Sequence, residues 1–242
     1  MTDFPTDEAQ IEANEVACQE ARAKAGLVPE LPEDVECAEG CILYQNGCPF
    51  TNPTQTPKTR YINLLASINR SGMPEFLTYL TNDTDFFESP ASSNNHGNYK
   101  YGLLEHSLQT YDMLQIVVKA FNLQFDKDSL IIVSLLHDLC KSNFYKPDTK
   151  NVKDEFGKWY KVPYFSIDDR LPLGHGEKSV ILIQQYLKLT MEEIMAIRWH
   201  MAGYDDTARS YSGNLALNGA MDKFPLIAAL HMADLAAVNF KI

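Results

Sequence analysis

A histidine and an aspartate stand side by side in the middle of an apolar run, Ser134-Leu135-Leu136-His137-Asp138-Leu139-Cys140-Lys141. The apolar spacing over Ser129–Cys140 predicts a helix with a buried stripe. An ionised carboxylate is rarely buried unless it is paired or bound to a metal. Any fold this chain adopts must therefore bring partners for the doublet from elsewhere in the sequence.

Suitable partners are present on both sides. His106 ends Tyr101-Gly102-Leu103-Leu104-Glu105-His106, His175 lies in Leu173-Gly174-His175-Gly176-Glu177-Lys178, and His200 closes Ile197-Arg198-Trp199-His200. Asp234 follows in Leu230-His231-Met232-Ala233-Asp234. Of the six histidines only His96, in a polar stretch, lies outside these segments. Mixed imidazole and carboxylate donors suit borderline to hard divalent cations better than thiolate sites do.

In order and local context these residues resemble the HD-domain superfamily of metal-dependent phosphohydrolases. The resemblance covers roughly residues 100 to 240 and rests on Leu-Leu-Glu-His, His-Asp-Leu-Cys-Lys, two further histidines and a final aspartate. It implies a mainly α fold, a helical bundle with a small inserted β-hairpin. It also implies a dinuclear site, with His106, His137, Asp138 and Asp234 on one metal and His175, His200 and the other oxygen of Asp138 on the second. Mn, Fe, Co, Ni, Zn and Mg all remain open as the metal. A lone histidine on an apolar helix face is more often a satisfied core residue; the ordered set of six is what lifts this one above that reading.

The residue pattern carries further expectations. Of the candidate ligands Asp138 is the one carboxylate next to a histidine, so it is expected to bridge the two cations and to be the catalytic carboxylate. Lys141 lies one helical turn beyond His137 and is expected to face the same cleft and contact a phosphate. Lys178 follows Gly176 at a helix start, where free backbone N–H groups favour an anion, and is a second candidate for substrate phosphate. Glu177 reads as a capping acid. His231 is three residues from Asp234, hence on the same helix face, and is expected beside the site or substrate. Cys140 reads as a small core filler.

Elsewhere the pattern is mostly helical. Thr59–Asn69, Pro74–Thr81, Glu177–Leu187, Met191–Met201 and Pro225–Phe240 read as helices, as does the apolar stripe from Leu103 to Val118. Asp83–Lys100 is polar and reads as a loop. Phe156–Ile167 alternates aromatic and polar residues and predicts a short β-hairpin, with Pro163 confining its strand to an edge. Such an aromatic hairpin is more often packing than substrate stacking, yet its place between the doublet and His175 suits a lid, and its rings suit a nucleotide base.

Charge is unevenly placed. Residues 1–56 hold eleven acids against Arg22 and Lys24, which leaves residues 57–242 with only −2 of the net −11. The first 56 residues therefore read as an acidic, cysteine-bearing extension and 57–242 as the catalytic domain. Residues 6–25 predict an amphipathic helix stopped by Gly26. Cys18, Cys37, Cys41 and Cys48 offer a structural zinc site, although their spacing lacks a paired C-x-x-C pattern. The acidic balance argues against extended nucleic-acid binding. No apolar run is long enough to span a membrane, and the acidic N-terminus lacks a secretory pattern. A cytoplasmic location is the expectation; the oligomeric state is open.

The function these expectations favour is hydrolysis of a nucleotide or other small phosphate mono- or diester by a metal-activated hydroxide. Two alternatives remain: an HD-fold di-iron oxygenase, which uses the same ligand set, and a non-catalytic nucleotide-binding regulatory module.

Overall fold

The structure is a computed structural model and describes residues 56–93 and 97–240. The expected helix at 6–25 and the cysteines at 18, 37, 41 and 48 lie outside the described residues. Chain contacts divide after Arg60, and the unit that begins at Tyr61 carries every residue expected at the metal site.

Among the described residues eight helices carry the fold: α1 (Pro57–Ala66), α2 (Met73–Asn82), α3 (Gly102–Ala120), α4 (Lys127–Leu136), α5 (His175–Gln184), α6 (Met191–Trp199), α7 (Tyr211–Lys223) and α8 (Leu226–Asn239). Between α4 and α5 the chain makes two strands, β1 (Tyr145–Lys153) and β2 (Trp159–Ile167). The mainly α architecture with one inserted hairpin is thus what the sequence implies. No helix among the described residues is long and apolar enough to cross a membrane.

Helix α4 is central because its sequence leaves no polar face. Asp126 caps its start by accepting from the Ser129 N–H at 3.0 Å, and every residue from Ser129 to Leu136 is buried. A helix that is apolar all round belongs in the interior. It packs against α3 and α6, while α8 crosses both α3 and α6, and α5 lies on α6. One core joins Tyr61, Leu65, Phe76 and Leu80 to Leu103, Leu114, Leu130, Ile131, Ile132, Val133, Leu135, Leu136, Ile183, Ile197 and Leu230.

The doublet does not continue α4 as the apolar spacing predicts. The helix ends at Leu136, His137 caps it, and Asp138 leaves helical geometry at φ −104°. A 3₁₀ turn, Leu139–Lys141, follows. The last carbonyls of a helix lack intrahelical partners, and side chains supply them here. The Tyr61 hydroxyl donates to the Leu135 carbonyl at 2.8 Å, and His137 Nδ1–H donates to that of Ser134 at 2.9 Å.

Two other local features position the site. Helix α6 starts with a capping box between Thr190 and Glu193, and Glu193 also accepts a bidentate pair from Arg70 at 2.7 and 2.9 Å and the Ser129 hydroxyl at 2.7 Å. This one carboxylate joins α6 to the start of α4. Gly176 lets α5 approach α6 closely, since a Cβ there would stand 2.3 Å from the Arg198 carbonyl oxygen.

The hairpin begins earlier than expected. Its second strand matches the predicted aromatic segment, but its first runs from Tyr145, in register from Tyr145↔Ile167 to Lys153↔Trp159. Pro147 and Pro163 are tolerated because both strands of a two-stranded sheet are edges. Asp83–Lys100 forms no helix or strand among its described residues, yet it buries Phe86 and Phe87 against Tyr61 at ring separations of 5.0 and 5.6 Å.

Candidate metal centre

Five side chains from four segments converge. His106 comes from α3, His137 and Asp138 from the end of α4, His200 from the end of α6 and Asp234 from α8. His106 Nε2 lies 3.2 Å from Asp234 Oδ1, 3.5 Å from Asp138 Oδ2 and 3.2 Å from His137 Nε2. His137 Nε2 is 3.5 Å from Asp138 Oδ2 and 4.0 Å from Asp234 Oδ1. His200 Nε2 is 3.6 Å from Asp138 Oδ1. Apart from Asp234, whose side chain is 14% exposed, these groups are almost wholly buried.

The spacing fits a cation. Two ligands with bonds of about 2.1 Å lie about 3.0 Å apart on an octahedral ion and about 3.4 Å apart on a tetrahedral one. Asp138 Oδ1 and His200 Nε2 are both buried and have no hydrogen-bond partner among the described residues. Leaving such groups unsatisfied costs about 1–3 kcal/mol each, and a bound cation would satisfy both.

The imidazoles are prepared for ligation. His137 and His200 each donate Nδ1–H to a backbone carbonyl, Ser134 at 2.9 Å and Ile197 at 2.7 Å. A neutral ring fixed in that way presents the lone pair of Nε2 to the site. Burial pushes His137 down, to about 4, so it stays neutral. Burial also pushes His106 down, but the carboxylates of Asp138 and Asp234 outweigh it and hold that ring up at about 9. Burial works to raise both carboxylates, yet Lys141 and His106 beside Asp138, and His106 beside Asp234, keep them well below the usual range. Both carboxylates therefore stay ionised, with the His106 ring and the Lys141 ammonium balancing their charge.

The remaining predicted site residues divide. Lys141 turns back through the 3₁₀ turn and places Nζ 2.6 Å from Asp138 Oδ2. His175, first residue of α5, lies with Nδ1 3.1 Å from Cys140 Sγ, and ligand atoms of Asp138, Cys140 and His175 all fall within 4.8 Å of one another. Lys178 is buried and gives its ammonium to Asp169 at 2.5 Å, beneath the Phe144 ring at 4.7 Å. Glu177 pairs with Arg198 at 2.6 Å, and Arg198 also holds Asp205 at 2.7 Å. His231 donates Nδ1–H to the His200 carbonyl at 2.7 Å, bracing the turn that carries His200.

Two neighbours take positions at the centre that the sequence reading does not give them. Tyr145, at the root of the hairpin, sits close enough to Lys141 and Asp138 for its hydroxyl to feel both charges, although burial is the main cause that raises it. Cys140 is buried as expected of a filler, but its sulfur faces a ring nitrogen. Only the break after Leu136 turns it there, and nothing local in the sequence signals that break. Trp159, a ring suited by its type to stacking on a base, is at the far end of the strand, about 26 Å along it from the root at 3.3 Å per residue.

The model of the HD domain matches residues 103–231, more than half of the 242. The chain belongs to the HD-domain family. That places it in a superfamily of metal-dependent phosphohydrolases, and its buried His/Asp groups suit a divalent cation. Comparison with curated proteins and with solved structures gave no match. Asp234 lies just beyond the matched span, so its membership of this HD-domain centre rests on its 3.2 Å approach to His106.

Proposed function

We propose that this HD-domain protein holds two divalent cations and hydrolyses a nucleotide or another small phosphate ester. The observation that carries the reading is the ligand-like spacing of His106, His137, Asp138, His200 and Asp234, with the Lys141 ammonium on the same carboxylate. In this reading His106, His137, Asp138 and Asp234 serve one cation, and Asp138, His175 and His200 the other. Cations held there would supply Lewis acidity, acidifying a water from 15.7 towards about 7 and neutralising charge on phosphoryl oxygens.

The chain's own groups account for the rest. His137 and His200 keep their Nδ1 protons on carbonyls and would ligate through Nε2. Were a cation to engage Asp138 Oδ2, the Lys141 ammonium now on that oxygen would be free to contact a substrate phosphoryl oxygen. Tyr145 stands beside that ammonium and can donate a second hydrogen bond. Lys178 reaches a phosphate only by leaving Asp169, so its first role is to hold the segment after β2 against α5. The near-neutral charge of residues 57–242 favours a small anion over an extended polyanion.

The test is hydrolysis of a panel of phosphomonoesters, phosphodiesters and nucleotides by the full chain, reloaded in turn with Mg, Mn, Co, Ni, Zn and anaerobic Fe. Metal-dependent phosphate release that disappears in Asp138→Asn supports the reading. A metal-loaded chain that cleaves nothing in the panel, or that consumes oxygen only when iron is bound, overturns it.

A further inference from the structure

Asp138 separates two unlike groups of donors. On the side of His106, His137 and Asp234 every donor is nitrogen or oxygen. On the other side stand His175 and Cys140, with Sγ and Nδ1 3.1 Å apart and both within 4.8 Å of an Asp138 oxygen. Cys140 is held there from two directions. Its N–H donates to Ser179 Oγ of α5 at 3.1 Å, and its turn is closed by the Lys141 N–H to Asp138 carbonyl bond at 2.9 Å. A cysteine that only fills space needs apolar neighbours, whereas this sulfur lies against a ring nitrogen beside a buried carboxylate whose Oδ1 has no hydrogen-bond partner among the described residues.

We propose that Cys140 is a metal ligand, which with His175 and Asp138 gives the second cation position a sulfur donor and so selects a thiophilic divalent ion, zinc foremost. The proposal rests on the dinuclear reading above and adds a ligand to it. Thiolate donors favour zinc over magnesium or manganese, which prefer oxygen. On ligation the Sγ–H bond is lost, its proton leaves to solvent, and the sulfur lone pair binds the cation. Sulfur and nitrogen on a tetrahedral zinc are about 3.5 Å apart, from bonds of about 2.3 and 2.05 Å. The present 3.1 Å must therefore open by a few tenths of an ångström, a movement available to His175 because it is the partly exposed first residue of α5.

The experiment uses the full chain with Cys18, Cys37, Cys41 and Cys48 changed to Ser, so that Cys140 is the sole thiol. The protein is stripped with chelator, loaded anaerobically with Co(II), and read by cobalt content and near-ultraviolet absorption. A thiolate-to-cobalt charge-transfer band that rises with bound cobalt, disappears on adding Cys140→Ser and is competed by zinc supports the proposal. Cys140→Val is then expected to lose one of the two cations, with zinc affinity at that position down more than about 100-fold, since even groups behind a ligand are worth about 10–100-fold. Two bound cobalt ions without the band, or a Cys140→Val chain that keeps both, overturns the sulfur ligand while leaving the dinuclear reading intact. A folded chain that binds no cobalt overturns both. Should the four serines prevent folding, the difference spectrum between the wild-type chain and Cys140→Ser gives the same answer.

Discussion

The ammonium of Lys141 lies 2.6 Å from Oδ2 of Asp138, three residues back across a 3₁₀ turn. It occupies an oxygen that a cation would need, so Lys141 and metal compete for one carboxylate. Lys141→Met is therefore expected to bind the cation more tightly while hydrolysing more slowly. Loss of one charge-assisted hydrogen bond to substrate is worth about 1.5–3 kcal/mol, roughly a 10- to 150-fold fall in kcat/KM. Metal titration and steady-state kinetics on the same variant check both halves; a variant weaker in metal binding as well as activity would put Lys141 in a purely structural role.

Metal should also stabilise the fold, because it binds groups drawn from α3, α4, α6 and α8. A cation at 100 times its Kd contributes about 2.7 kcal/mol, and a domain of this size gains roughly 2–4 °C per kcal/mol, so Tm is expected to rise by about 5–10 °C. Thermal melts with and without chelator measure this. Asp138→Asn, which keeps the side-chain volume, is expected to show almost none of the rise.

The Arg70–Glu193 pair gives a stability prediction away from the centre. Burial works to raise the Glu193 carboxyl, but Arg70, the Thr190 N–H and the Ser129 hydroxyl outweigh it and hold it below its ordinary value. A depressed carboxylate contributes stability that is present above its unfolded-state pKa and is lost as pH falls through the folded-state value. Acid unfolding of the wild-type chain should therefore include a loss below about pH 4.5 that Glu193→Gln lacks. At neutral pH the same variant is expected to cost about 3 kcal/mol, from a broken, largely buried pair whose arginine keeps some access to water. Urea melts at several pH values check both; equal acid sensitivity in the two proteins would count against the assignment.

Gly176→Ala tests the approach of α5 to α6. The new methyl would meet the Arg198 carbonyl oxygen at 2.3 Å, so the helices must part, at a cost of about 1–3 kcal/mol. Since α5 begins with His175 and α6 ends beside His200, metal retention should fall with stability. A variant that melts as the wild type does would show that the two helices have room to spare.

Much of this architecture is legible in the sequence, for identifiable reasons. Helices with strong apolar stripes, such as α3 and α8, and the order of the histidines and aspartates need only local spacing. The end of α4 does not show, because no Gly or Pro marks it. The turn after Leu136 is set by partners distant in sequence, Tyr61 on the Leu135 carbonyl and Ser179 on the Cys140 N–H. Strand β1 is invisible because Tyr145–Lys153 is polar and carries Pro147; only its pairing with β2 reveals it. Helix α7 is hidden because Gly213, Asn214, Asn218 and Gly219 weaken its pattern, leaving Gly213, Leu217 and Ala220 as its buried positions. The same break after Leu136 explains why Lys141 meets Asp138 and why Cys140 meets His175.

The central claim is that the His/Asp cluster is a metal centre, and metal content tests it most directly. The full chain and Asp138→Asn, purified anaerobically in parallel and shown to be folded, are compared by element-resolved mass spectrometry. The account predicts that the wild-type chain carries about two more equivalents of divalent transition metal than the variant. Equal metal content in the two folded proteins would contradict it.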